Sequence, residues 1–210
     1  MTERYRSWVE VSRSRIAANY RAVCDVVGPG IEVMPVVKAD AYRHGANEVS
    51  RVLVHEGARW LAVSNVEEGI ALRRAGIDAR IVVMADFLPL ERDVLIKFRL
   101  TPVIHSLDEV AASPVPYHLK IDSGMGRLGT RATAPEIAAA VLAAPSPMEG
   151  VLSHLASASD YTSTQSDDQT EYFFNLCREL ELAGVHPAYC HIGSTIAIAY
   201  GRRASWGRRR

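Results

Sequence analysis

Between Val33 and Ile192, apolar runs of strand length alternate with helix-length segments, and the links between them are short. No other feature of the chain constrains its fold as much. Strands joined through helices run parallel, and a parallel sheet has to be covered by those helices. The strand-like runs are Val33–Val37, Trp60–Ser64, Ile81–Met84, Leu100–Ile104, Tyr117–Asp122, Met148–Ser153 and Tyr189–Ile192. Helices are expected from a Ser12 N-cap to about Val27, over Asn47–Glu56, Val66–Ala75 and Leu90–Phe98, and briefly from Leu107. A further helix has Pro135 in its first turn and reaches Ala144, and another follows a polar loop that runs to Asp168 and ends near Ala183-Gly184. About seven such units predict an α/β fold of the TIM type, a (β/α)8 barrel incomplete at its C-terminus. An open doubly wound sheet is the alternative, but no glycine-rich dinucleotide fingerprint follows any of the strands.

With 210 residues, the chain can bury a core as one domain. A formal net charge of +0 gives no pull towards nucleic acid. No apolar run is long enough for a membrane span, and the polar start MTERYRSWVEVS carries no signal-peptide core, so a cytoplasmic location is expected. Cys24, Cys177 and Cys190 are scattered, which suits a reducing compartment. With no CxxC pair or zinc spacing, no metal is expected.

A barrel gathers the polar residues at its strand ends on one face. Lys38, Lys120, Asp122, His154 and His191 fall at such ends. Lys38 closes the run EVMPVVK. With its stem in the core and its amine in a cleft, it is a candidate nucleophile, although a lysine there can also simply cover the strand end. Tyr42 and His44 follow, and Gly45 allows a tight turn into the next helix. In the stretch from His118 to Gly129, a strand delivers Lys120 and Asp122 and a glycine-rich turn presents Arg127. A guanidinium is suited to a carboxylate or a phenolate oxygen. A third box, Gly150 to Ala158, carries His154, and a fourth runs His191-Ile192-Gly193-Ser194-Thr195. His55, His105, His118 and His186 read as surface or core filler, and Cys177 and Cys190 as small core hydrophobes.

Together the four boxes resemble the alanine racemases, in family order and over roughly Trp8 to Thr195. Lys38-Ala39-Asp40-Ala41-Tyr42-Arg43-His44-Gly45 is similar to the family's lysine box, with Arg43 where glycine is more usual. The resemblance implies that Lys38 holds pyridoxal 5'-phosphate as an aldimine and that the Tyr42 hydroxyl helps hold the phosphate. It implies that Arg127 contacts the cofactor's phenolic oxygen and the substrate carboxylate, and that Lys120 is a carbamylation candidate steadying Arg127. His154 would support the catalytic tyrosine and lie beside the cofactor. His191, Ser194 and Thr195 would line the phosphate turn, with Ser194 for the usual asparagine and Thr195 for the usual serine. The implied activity is interconversion of L- and D-alanine by a homodimer, supplying D-alanine for the cell wall. Two alternatives remain: a non-catalytic single-barrel carrier of the cofactor, and a racemase of another amino acid.

The resemblance ends after Thr195. The family continues into an eighth unit with an Arg-x-Gly-Ile segment and a β-rich domain carrying the tyrosine base. This chain runs AIAYGRRASWGRRR instead. The expected division is residues 1–11 as a strand belonging to that missing domain, 12–199 as the barrel, and 200–210 as an irregular basic tail. The tail reads as a truncated or frameshifted end. A barrel left open there predicts a poorly active chain, prone to aggregate or swap through its unpaired strand edges.

Overall fold

In the computed structural model, which describes residues 6–199 and 201, six parallel strands lie side by side in the order in which the chain makes them. They are β1 (Trp60–Val63), β2 (Arg80–Val83), β3 (Leu100–Ile104), β4 (Tyr117–Lys120), β5 (Met148–Leu152) and β6 (Tyr189–His191). Helices join them, and their ends follow local chemistry. Ser12 Oγ accepts from the Arg15 amide to start α1 (Arg13–Val27), and Gly28, at φ 78°, stops it. After the short turn α2 (Lys38–Arg43) come α3 (Ala46–His55), α4 (Val66–Arg74), α5 (Arg92–Lys97) and α6 (Leu107–Ala112), the last begun by a Ser106–Glu109 capping box. The series ends with α7 (Ala134–Ala143), α8 (Gln165–Leu182) and α9 (Thr195–Ala199). Helix α8 starts before Asp168, earlier than expected, because Thr164 Oγ1 donates to Asp168 Oδ2 and Ser163 Oγ takes the Gln165 amide.

The period-two alternation of a strand sorts side chains into two layers. Leu61, Val63, Ile81, Val83, Leu119, Ile121 and Val151 face outward and are buried against the helices. Trp60, Ala62, Val82, Val103 and Leu152 face inward and form a separate cluster with Tyr189. Trp60 on β1 meets Tyr189 on β6 edge-on at 5.3 Å between ring centroids and His118 on β4 at 5.3 Å, so first and last strands approach across the interior. The sheet is therefore curled as in a barrel, not open and doubly wound. Among the described residues, β6 has one neighbour, β5, and the ring is not closed.

One local expectation fails. The run Val33–Val37 does not form a strand and makes a single bridge, Val36 to Ala62, through Val37 N–H to Ala62 O at 2.8 Å and Ala62 N–H to Pro35 O at 2.9 Å. Pro35 has no N–H to extend that ladder. At the N-terminus, Tyr5 lies outside the described residues and Arg6–Val11 is coil, with Trp8 and Val9 at 72% and 83% exposure. A strand without a neighbour makes no ladder hydrogen bonds. The tail at 200–210 lies outside the described residues except for Gly201.

Candidate active site

Lys38 stands where the Val36 bridge ends, at the C-terminal edge of the sheet. The backbone then does something that the sequence does not announce. Ala39, Asp40, Ala41 and Tyr42 all hold φ between 51° and 56° and ψ between 41° and 49°, a left-handed helical turn, and Arg43 follows at φ 69°. Each such L residue costs roughly 1–2 kcal/mol, so the turn persists only because its surroundings hold it. Glu68 on α4 does much of this: its carboxylate takes the Ala39 amide at 2.7 Å and the Ser64 amide at 2.7 Å, tying the residue after Lys38 to the end of β1. Asp40 Oδ1 accepts from Ala46 N–H at 2.7 Å, and the Ala41 carbonyl lies 2.9 Å from His44 Nδ1. Tyr42 is left 57% exposed beside Lys38. Arg43 occupies a left-handed position that glycine adopts without penalty, so Arg43→Gly is expected to stabilise the chain by about 1 kcal/mol in urea denaturation.

The Arg127 loop grows from β4. Alternation places His118 and Lys120 inward, and the loop is closed at its base by a bridge between Ile121 and Thr130. Asp122 braces it, accepting from the amides of Gly124 (3.1 Å) and Gly126 (2.9 Å) and from Arg131 Nε (2.8 Å). Burial pushes the Asp122 carboxyl up, but the Gly126 amide, Arg131 and the Gly124 amide outweigh it and hold the group at about 2. Gly129 is required at φ 104°, where a Cβ would also meet the Asp122 nitrogen at 3.0 Å. Lys120 is buried and donates from Nζ to the Arg127 carbonyl at 2.8 Å. Burial, and then the Arg127 charge, pull its amine below the ordinary lysine value, against an opposing pull from Asp122.

His154 lies two residues past the end of β5. Burial lowers its pKa first, and the charges of Arg127, Lys120 and Lys38 lower it further. Four of the expected residues, Lys38, Lys120, Arg127 and His154, thus lie within electrostatic reach of one another, with Lys120 Nζ held on the Arg127 carbonyl. None of the three cations is in an ion pair among the described residues. A group of residues with that excess of positive charge attracts an anion, and both a phosphate-bearing aldehyde and an amino-acid carboxylate fit this donor set.

The fourth box is placed differently. His191 lies opposite Leu152 in the register of β5 and β6, one layer below His154. Its Nε2 is 2.9 Å from His118 Nδ1, and burial lowers its pKa to about 4. Ser194 Oγ accepts from Ala197 N–H at 3.2 Å and so caps α9, whose first residue is the exposed Thr195. His118 is thus the fixed partner of His191 and packs against Trp60 and Tyr189. His105, just after β3, is buried, and its pKa is lowered by burial and then by Lys120. Sequence reasoning also passed over Glu68, Ser123, Ser153 and Gln169. The last had a legible signal, being a polar residue at a buried position of α8 in line with Ser166, Phe173 and Leu176.

Comparison with known proteins gives a consistent result. The family model described as alanine racemase, N-terminal domain, matches residues 11–208. The chain is 37% identical over 201 residues to an alanine racemase of Carboxydothermus hydrogenoformans, an alignment covering 91% of this chain and 54% of that protein. It is 34% identical over 211 residues to one from Synechocystis, covering 95% and 57%. Its fold superposes on alanine racemase from Bacillus anthracis with bound L-Ala-P at a TM-score of 0.88, with 29% identity, over 100% of this chain and 57% of that one. Alanine racemase from E. faecalis gives 0.86 at 25% identity, covering 95% and 57%. The chain spans about half the length of the curated relatives it matches.

Proposed function

Because the chain belongs to the alanine racemase N-terminal domain family, we propose that it forms the cofactor-bearing barrel of an enzyme that interconverts L- and D-alanine. The observation that carries this reading is that Lys120 Nζ is held on the Arg127 carbonyl at 2.8 Å and that Lys38, Lys120 and Arg127 all lie within electrostatic reach of His154. Pyridoxal 5'-phosphate, when bound, supplies an electron sink that acidifies the substrate Cα–H. Lys38 Nζ is the amine that would hold the cofactor, and its position suits it to move a proton at Cα on one face. The Arg127 guanidinium binds the substrate carboxylate. Tyr42 and Thr195 offer hydroxyls to the phosphate, with Ser194 beside them. Its lowered pKa raises the share of neutral Lys120 amine, the form that would add carbon dioxide to give a carbamate and a released proton, and the new negative charge would steady Arg127. His191 bears on the cofactor only through the β6–α9 turn, because its ring is engaged with His118. His154, kept neutral by burial and its cationic neighbours, is suited to accept or donate a hydrogen bond to a phenol.

Racemisation needs a base on each face of the flattened Cα. The family's tyrosine for the second face has no matching motif in residues 1–210, so the proposal assigns it to a β-rich domain and a homodimer, with residues 1–11 as the strand that joins that domain. The cytoplasm is the proposed compartment, and cell-wall precursor synthesis the proposed use. No helix among the described residues is long and apolar enough to cross a membrane.

Adding pyridoxal phosphate to the purified chain should give the visible absorbance of lysine-bound cofactor, and Lys38→Ala should remove it. D-alanine formation by the chain alone should be weak. Failure of the band to form overturns cofactor binding, and strong turnover by the chain alone overturns the placement of the second base. A bound cofactor with no D-alanine even when a relative's C-terminal half is supplied would point to a carrier.

A further inference from the structure

The side chain of Gln169 is buried between the two loops that carry the site, and all of its polar atoms are used. Oε1 accepts from Ala156 N–H at 2.9 Å. Nε2 donates to the His154 carbonyl at 3.0 Å and to Ser123 Oγ at 3.3 Å. Ser123 Oγ lies 2.7 Å from Ser153 Oγ, and Ser153 Oγ donates to the Ile121 carbonyl at 2.8 Å. A Cβ on Gly124 would already touch Gln169 Cγ, so the glycine loop rests directly on the amide side chain. One residue on α8 thus fixes the backbone on both sides of Leu155 and the first turn of the Arg127 loop.

We propose that Gln169 is a positioning residue that locks the His154 segment and the Arg127 loop into one arrangement, so that imidazole and guanidinium face the same bound anion. The inference rests on the proposed function for what that anion is, but its geometry does not. A glutamine suits this place because the slot needs one acceptor and a two-armed donor without net charge. A glutamate lacks the donors, and an apolar side chain leaves Ala156 N–H and the His154 carbonyl without their partner in a part-buried place.

The test uses the full chain carrying Gln169→Met, which keeps the volume and removes all three hydrogen bonds, and Ser123→Ala, which removes one arm. The imidazole titrations are followed by NMR without cofactor, and pyridoxal phosphate affinity is measured from its absorbance. The His154 midpoint should rise towards the ordinary histidine value in Gln169→Met and by less in Ser123→Ala, while His191, outside the clamp, should stay where it is. Affinity for pyridoxal phosphate should fall by roughly tenfold to a hundredfold in Gln169→Met. An unchanged His154 midpoint in a folded Gln169→Met would overturn the proposal, as would His154 and His191 moving together, which is what general loosening produces. If Gln169→Met does not fold, an unchanged midpoint in Ser123→Ala overturns it instead. A wild-type chain that fails to bind cofactor would sink the functional reading and still leave the His154 comparison to decide the clamp.

Discussion

Arg73→Ala is expected to lose roughly 4 kcal/mol of stability, about a 10 °C fall in Tm for a chain of this size. The guanidinium of Arg73, in the last turn of α4, donates to four carbonyls. Nη1 reaches Ile77 O at 2.7 Å and Ala79 O at 2.6 Å, Nε reaches Phe98 O at 2.8 Å, and Nη2 reaches Arg99 O at 2.9 Å. These carbonyls belong to the link from α4 to β2 and the link from α5 to β3, so one side chain fastens two successive connections. Arg99 also has a positive φ of 49°, a conformation that its neighbours must hold in place. Removing the guanidinium leaves carbonyls without partners, and each costs on the order of 1 kcal/mol or more where water cannot replace the donor. Arg73→Lys should recover only part of the loss, because one ammonium cannot span both links as a planar fork does. Urea denaturation of the three proteins checks this, and a midpoint for Arg73→Ala equal to wild type would refute it.

From sequence, Arg73 looks like an ordinary basic residue at a helix C-terminus, favourable to the helix dipole and otherwise free. Nothing local says that two loops will fold back over it. What was legible is what depends on neighbours in sequence. The strands show as continuous apolar runs because parallel strands are buried on both faces, and the start of α1 shows as Ser12 because an orphan amide needs an oxygen nearby. Lys38, Lys120, Arg127 and His154 were legible through the boxes that present them. What escaped depends on the far side of the fold. The left-handed turn after Lys38 uses Ala39 to Arg43, none of which marks such a backbone in sequence, and it is held by Glu68 from another helix. Val33–Val37 has the composition of a strand, but Pro35 limits its ladder to one bridge. His118, read as filler, turns out to pair with His191, a contact between residues 73 apart.

That pairing leads to the second large effect, a loss of stability on mild acidification. Four histidines are held neutral in the folded chain. Burial lowers His118 well below its ordinary value, with His191 and Arg80 adding to the shift, and burial alone takes His191 to about 4. His105 is lowered by burial and Lys120, against Asp86, and His154 by burial, Arg127, Lys120 and Lys38. The sign follows from proton counting. Between the unfolded value near 6.5 and each lowered folded value, the unfolded chain binds more protons than the folded one, so stability rises with pH across that window and is lost as pH falls through it. For His191 alone the window from 6.5 to about 4 corresponds to roughly 3 kcal/mol. The other three act in the same direction, and below pH 4 the release of Asp122 from its braced state adds to the loss. Against a total stability on the order of 10 kcal/mol, the His191 loss is a large fraction and the other three add to it, so a marked fall in stability is expected by pH 4 to 5. The His118–His191 contact needs one donor and one acceptor nitrogen, and a second proton destroys it, so the interior under Trp60 and Tyr189 is where acid should act first. Urea midpoints measured from pH 7.5 down to 4.5 should fall steadily below pH 6.5, and His118→Gln should reduce the slope while lowering stability at neutral pH. Midpoints that stay level from pH 7 to 4.5 would show that the buried pair does not control the acid response.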